Sequence, residues 1–300
     1  MLDIVKGAVS QGLLWSIMAI GIYITYRILD ISDLTSEGSF TLGAATLASL
    51  SVAGVHPLLA LLMSMVAGGL AGLVTGLMHT KLRIPTLLAG ILSMTGIYSV
   101  NLRIMGKANV SLNNQETILS LVAKWLGLSR ERDAALIVGI FFALVVVVLL
   151  YLLLNTEFGY ALRATGTNEN MIRASGVNTN FTKVAGLVLG NALIALSGGL
   201  VCQYNGYADV AMGIGAIVIG LASVIIGEVF FGRSRIFLSL VGVVFGSIIY
   251  RIIVALVLRA GFPANDMRLF TAILVAIAIS LPQIKANLQS FLASRKEEAE

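Results

Sequence analysis

Residues 156–182 read TEFGYALRATGTNENMIRASGVNTNFT, a polar stretch set between two strongly apolar segments of 22 residues each, 133–154 and 183–204. At ~1.5 Å per residue, each flank is long enough to cross a hydrocarbon core of ~30 Å. The polar stretch is therefore expected to be a loop exposed on one side of a membrane. Its residues predict local order: Phe158, Ala161 and Leu162 share one face of a short helix that Gly166 can end in the left-handed conformation. A second short helix fits 168–175, with Asn168 or Thr167 capping it, Glu169 at the positive end of its dipole and Gly176 closing it. Two short amphipathic helices on the polar face of a membrane protein make a docking surface, or else lie on lipid head groups.

The flanks belong to a chain that is apolar throughout. Of 300 residues, 58% are hydrophobic and 12% charged, with mean hydropathy +0.95, whereas soluble domains carry about 25% charged residues. This composition excludes a water-soluble domain and predicts an all-α, polytopic membrane protein, with residues 1–300 as a single transmembrane domain. The 31 glycines are spread through the apolar runs, as in helices that pack closely within a bilayer. A net charge of +5 does not imply nucleic acid, because Lys and Arg lie in short loops without a basic helix or interleaved aromatics. The lone cysteine, Cys202, reads as a small buried hydrophobe. The first apolar run has neither a basic leader nor an A-x-A-like cleavage site, so it is expected to remain as a helix.

Hydrophobic spans are expected at about 9–29, 38–54, 58–79, 86–103, 133–154, 183–204, 213–227, 236–258 and 267–284, about nine in all. The seventh is short. The eighth carries Arg251 and is expected to end near Ile249, followed by an interfacial helix whose Arg251 and Arg259 reach head groups. With 156–182 in the cytoplasm, the odd count places the N-terminus outside and the C-terminus inside, and 104–132 becomes an extracytoplasmic loop. Lys81, Arg83, Arg233, Arg235, Lys285, Arg295 and Lys296 then lie inside, whereas Lys107, Lys124, Arg130 and Arg132 lie outside, so charge alone does not settle the orientation.

A faint internal repeat is present. The second segment opens with Asp33, Gly38 and Gly43, the seventh with Asp209, Gly213, Gly215 and Gly220, and each follows a full helix. In the expected topology they run in opposite directions. Glycine-broken segments in two opposed halves point to a transport pathway, since unwound backbone at membrane depth persists only where protein or water surrounds it. The same glycines would also serve tight helix packing. Asp30, Asp33, Glu37 and Asp209 are candidates for the pathway, or for capping the broken helices.

Thr156, Gly159, Leu162, Arg163, Ala164, Gly166, Asn168, Gly176 and Asn178, at these spacings, resemble the cytoplasmic coupling loop of ABC importer permeases of the ribose and branched-chain amino acid type. LDISDLTSEGSFTLGAATLA at 29–48 and GIGAIVIGLASVIIGE at 213–228 look most like the subset assigned to tryptophan or tyrosine transport. The resemblance covers about residues 11–284. Relative to ribose permeases, the chain lacks one N-terminal helix, which reverses the side of its N-terminus.

The resemblance implies a permease subunit, working as a homodimer in the inner membrane, with two copies of a separate ATPase and an extracytoplasmic binding protein. Gly159, Leu162, Arg163, Gly166, Asn168, Glu169, Gly176 and Asn178 would form the ATPase-coupling set. Asp33, Ser36, Glu37, Gly38, Ser39, Asn191, Tyr204, Asp209, Gly213 and Gly215 are the candidate pathway set. Neither a cofactor nor a metal is expected on this chain, ATP and Mg belonging to the partner ATPase: it has no G-x-x-x-x-G-K-[ST] loop, and His56 and His79 lie at opposite ends of one helix. No Ser and His pair at helical spacing suggests hydrolysis. An ion-coupled secondary transporter is the rival reading, but the middles of the spans offer almost no acids or histidines. The few hydroxyl and amide groups at Ser36, Ser39, Thr41 and Asn191, with Gln203, Tyr204, Asn205 and Tyr207 at the outer mouth, favour an aromatic amino acid over a sugar or nucleoside. Each sugar hydroxyl stripped of water would need a partner.

Overall fold

The computed structural model describes residues 2–113, 115–128, 131–233, 235–261, 269–273, 276 and 280. The expected ninth span falls largely outside them. Apolar sequence with good helix formers yields α1 (Leu2–Ile22), α2 (Thr35–Val52), α3 (Pro57–Thr80), α4 (Thr86–Met105), α5 (Ile118–Leu126) and α6 (Glu131–Leu154). The loop at 156–182 forms α7 (Glu157–Thr167) and α8 (Glu169–Ala174), and α9 (Thr179–Asn205), α10 (Ala216–Phe231) and α11 (Ile236–Arg259) follow. A π-helical turn, Tyr23–Ile28, extends α1. Six of these helices are long and apolar enough to cross a membrane, which makes the chain an all-α, polytopic membrane protein.

The organising element is α9, buried along most of its length. Lipid tails give helices little hydrophobic reason to associate, so close packing of small residues carries the assembly. A Cβ at Gly68 or Gly72 of α3 would strike the α9 carbonyls of Asn191 or Leu187, one at Gly43 of α2 would strike Ala195, and one at Gly198 would strike Phe40. The glycine face of α3, which could equally have served a dimer, is thus spent within the chain. The outward faces of α3, α4 and α6 expose Leu59, Leu62, Leu88, Phe141 and Leu144, as lipid requires.

Relative directions follow from the contacts. Along α2, Ser39 meets Asn191 and Leu47 lies beside Gly199, so α2 runs parallel to α9. Against α1, Gly190 lies at Gly21 whereas Ser197 bonds Leu14, so α1 and α9 are antiparallel. Gly220 packs on Ile22 and Glu228 pairs with Arg27, so α10 follows α1 and opposes α2.

Several expectations need correction. The eighth span does not break at Ile249: α11 is continuous to Arg259, and the Arg251 guanidinium lies 3.9 Å over the Trp15 ring instead of reaching head groups. Gly166 does not end α7, which continues to Thr167 with Gly166 inside it. The first helix begins near Leu2 and not near residue 9, and the seventh segment becomes helical only at Ala216. The loop at 104–132 is ordered in part: β1 (Asn109–Ser111) pairs antiparallel with β2 (Tyr207–Asp209), with Val110 opposite Ala208, and α5 is capped by Thr117.

Candidate functional site

Two groups of candidate residues lie at different levels of the molecule. The first is where α2 begins inside the bundle. The buried Asp33 carboxylate accepts the Thr35 amide at 2.9 Å and the Asn191 amide group at 2.6 Å. Ser39 donates to Asn191 Oδ1 at 2.7 Å, and Ser36 donates to the Asp33 carbonyl at 2.8 Å. The chain of polar contacts continues through Thr35 to Thr75, 2.8 Å, and from Thr75 to Ser93, 2.7 Å. Thr75 and Ser93 escaped the sequence reading because single hydroxyls in apolar helices usually bond back to their own backbone, as Thr75 also does to Ala71.

Glu37 sits one helical turn above Asp33. Its Oε1 accepts the Gly215 amide at 2.9 Å, and Thr41 Oγ1 accepts that of Gly213 at 3.0 Å. A Cβ at Gly213 would strike the Glu37 carbonyl, so only glycine lets the turn ahead of α10 approach α2 this closely. With 16 residues, α10 spans about 24 Å, short of a ~30 Å core. The structure thus joins Asp33, Ser36, Ser39 and Asn191 in one node and Glu37, Gly213 and Gly215 in an adjacent one. Gly38 packs on Met94 and Ile97 of α4. Gly215 also lines a cavity of about 350 Å³ with Tyr250 and Arg251.

The remaining candidates lie elsewhere. Asp209 ends β2, where it accepts from Asn109 and from the Ala211 amide. Tyr204 lies near the end of α9, its hydroxyl towards Gly7. Gln203 accepts the Ile118 amide that opens α5. Of the acids considered as caps, Asp33 and Asp209 bond the amides two residues on, Glu37 serves Gly215, and Asp30 adopts a left-handed backbone, φ 56°.

The second group is the α7–α8 loop. Thr156 accepts the Gly159 amide, Asn168 the Met171 amide and Asn178 the Phe181 amide, so each helix start is capped by its own sequence. Leu162 is buried against Gly186. Gly159 and Gly166 allow close approach: a Cβ there would strike the Leu153 carbonyl and the Ile28 carbonyl respectively. Gly176 turns the chain at φ 87°.

Glu169 holds the loop to α9. Its carboxylate pairs with Arg173 and with Lys183, each at 2.6 Å, and accepts the Thr179 hydroxyl. The hydrogen bond from Lys183, with the charges of Lys183 and Arg173, keeps Glu169 below the usual carboxylate range despite partial burial. Arg163 lines a recess behind α7 with Arg27, Glu228 and Arg233. The sequence reading missed the apolar groups that do face outwards: Tyr160 is 56% exposed, Met171 59% and Phe181 62%. Their signal was available as large apolar side chains inside a polar loop.

Known proteins resemble this chain along nearly its whole length. A tyrosine transport system permease protein of Clostridioides difficile (strain R20291) is 38% identical over 295 residues, 96% of this chain and 97% of that protein. An uncharacterized protein of Rickettsia prowazekii (strain Madrid E) is 33% identical over 287 residues, 93% of this chain and 98% of that protein. In fold alone, a solved inward-facing ABC transporter assigned to the metal-chelate type superposes with a TM-score of 0.52 at 15% identity, covering 95% of this chain and 85% of that one. Residues 4–278 match the family described as the permease component of branched-chain amino acid transport systems, and the chain belongs to that family of ABC transporter permeases.

Proposed function

We propose that this chain is the membrane subunit through which an ABC importer takes up an amino acid, with tyrosine or another aromatic as solute. It works as a homodimer in the inner membrane, with about nine spans per copy, a non-catalytic role, two copies of a separate ATPase below and a binding protein outside. The observation that carries this reading is an unbroken mechanical line between the two candidate groups. Gly166 of α7 seats on the Ile28 carbonyl, Arg27 beside it pairs with Glu228 near the end of α10 at 2.7 Å, and the turn at the start of α10 bears on Glu37.

Tyr160 and Met171 offer the ATPase an apolar footing. Displacement of α7 would pass through the end of α1 to α10, whose helix is stiff enough to carry it to the opposed start of α2. The pathway opens where the starts of these two short helices meet, with Glu37, Gly213 and Gly215 at its wall. The Asp33 and Asn191 node anchors α2 while α10 moves. An aromatic solute suits a wall with few hydrogen-bonding groups, because each unpaired hydroxyl of a sugar would cost about 1–3 kcal/mol, and the relative named for tyrosine transport points the same way.

The test is uptake of labelled tyrosine, tryptophan, leucine, ribose and adenosine by the complex reconstituted with its ATPase and binding protein. Tyrosine or tryptophan is expected to enter in an ATP-dependent way. Transport of ribose alone would sink the aromatic assignment and leave the importer standing, whereas uptake without ATP would overturn the importer itself.

A further inference from the structure

Behind α7, between it, the end of α1 and the α10–α11 turn, lies a polar recess of about 240 Å³. Three guanidinium groups, Arg27, Arg163 and Arg233, line it against a single carboxylate, Glu228. Arg27 and Arg233 both engage that carboxylate, at 2.7 Å each, and Glu228 is only 9% exposed. Arg163 is left over. It packs 4.7 Å from the Tyr160 ring centre, and its Nε is buried with no hydrogen-bond partner among the described residues. The hydroxyl-bearing residues Tyr23, Thr167 and Ser239 also line it.

One carboxylate cannot neutralise three guanidinium groups, and a buried guanidinium donor without an acceptor is costly. The wall therefore calls for an anion rich in acceptor oxygens. Its position chooses among anions. The recess lies on the membrane side of α7, level with the ends of α1 and α10, where the head groups of that leaflet sit.

We propose that this recess binds a phosphate-bearing anion, with Arg163 as the group that holds it. The phosphate of an anionic lipid head group and free inorganic phosphate share this chemistry, and the lipid is the source that the position favours. The site is independent of the transported solute. Because Arg163 and Gly166 lie on one helix, an occupied recess would brace α7 against the end of α1.

The experiment uses the purified full chain in detergent. Native mass spectrometry after incubation with equal phosphatidylglycerol and phosphatidylcholine reads the lipid, and melting in potassium phosphate against potassium chloride at matched ionic strength reads the free ion. Phosphatidylglycerol is expected to be retained preferentially, and Arg163→Gln to reduce that preference about tenfold, as befits one charge-assisted hydrogen-bonded contact. Arg163→Lys keeps the charge without the fork and should retain part of it. Arg103→Gln, which removes an exposed arginine in the last turn of α4, outside the recess, should change nothing. Stabilisation by phosphate with no lipid preference would identify the free ion as the ligand. The proposal is overturned if neither anion is preferred over its control, or if Arg103→Gln lowers the preference as much as Arg163→Gln.

Discussion

At the scale of single residues, the glycines of the α7–α8 loop separate two roles that the sequence merges. Gly176 is needed for its backbone, since its positive φ strains any residue with a side chain. Gly166 is needed for its size. In an exposed helix, Gly→Ala stabilises by about 1 kcal/mol, but here the added methyl meets the Ile28 carbonyl. Gly166→Ala should therefore destabilise by about 1–3 kcal/mol despite its better helix propensity, and solute-stimulated ATP hydrolysis should fall with it. A variant as stable as the parent with normal stimulation would remove Gly166 from the line of transmission. Glu169 makes a prediction about pH. Its native pKa is lowered, chiefly by the hydrogen bond from Lys183. Its contribution is therefore complete above the unfolded carboxylate value of about 4.3 and is lost as pH falls through the lower native value. Amide exchange in 169–178 should rise on acidification in the parent and be fast and pH-flat in Glu169→Gln once intrinsic exchange is corrected. Identical corrected profiles in the two proteins would show that the loop is held by its caps and not by this carboxylate.

At the scale of elements, α2 and α10, of 18 and 16 residues, are the short apolar helices of the bundle, and their starts are held by different means. The start of α2 is tied by a buried polar node, and that of α10 by amides given to Glu37 and Thr41. Asn191 stands at the centre of the α2 node, donating to Asp33 and accepting from Ser39. Asn191→Ala leaves a buried carboxylate short of its best donor and should cost about 2–3 kcal/mol, against about 1 kcal/mol for Ser39→Ala. Thermal melting in one detergent decides the order. Equal losses for the two variants would mean that Asp33 draws its stability from the Thr35 amide alone. In α11, Arg251 illustrates a different outcome. A sequence reading sends an intramembrane arginine towards the head groups, but a tryptophan face within reach offers the same charge a partner inside the bundle.

At the scale of the whole molecule, the direction of α9 orients everything else. The α7–α8 loop lies at its start and the β1–β2 pair at its end, so the two must emerge on opposite sides of the membrane. With Cys202 changed to Ala, a cysteine at Asn113 should react with an impermeant thiol reagent from outside, and one at Asn170 only after the membrane is opened. Both side chains are exposed, so access to them reports sidedness and not burial. The opposite pattern would invert the orientation and take the α7–α8 loop out of the cytoplasm, against its proposed docking role.

The sequence by itself determined the class of protein, six of the long spans and the two short helices of the α7–α8 loop, with the Asn168 cap of the second. Hydropathy over some twenty residues and a capping side chain two or three residues from its amide are short-range signals, complete within the segment that carries them. Asp33, Asn191, Glu37 and Gly215 were legible as polar or glycine interruptions in apolar helices, but not as pairs. Asn191 lies 158 residues from Asp33 and Gly215 lies 178 from Glu37, and no local pattern encodes such partners. Only the tertiary structure decided that Gly166 is a contact and not a cap, that Arg251 stays inside, that Arg163 turns behind α7 and that Tyr160 and Met171 face out. In each of these cases the residue type permits both outcomes, and the choice depends on which atoms a distant segment places beside it: the Ile28 carbonyl, the Trp15 ring, Glu228 with its two arginines, or no chain segment at all.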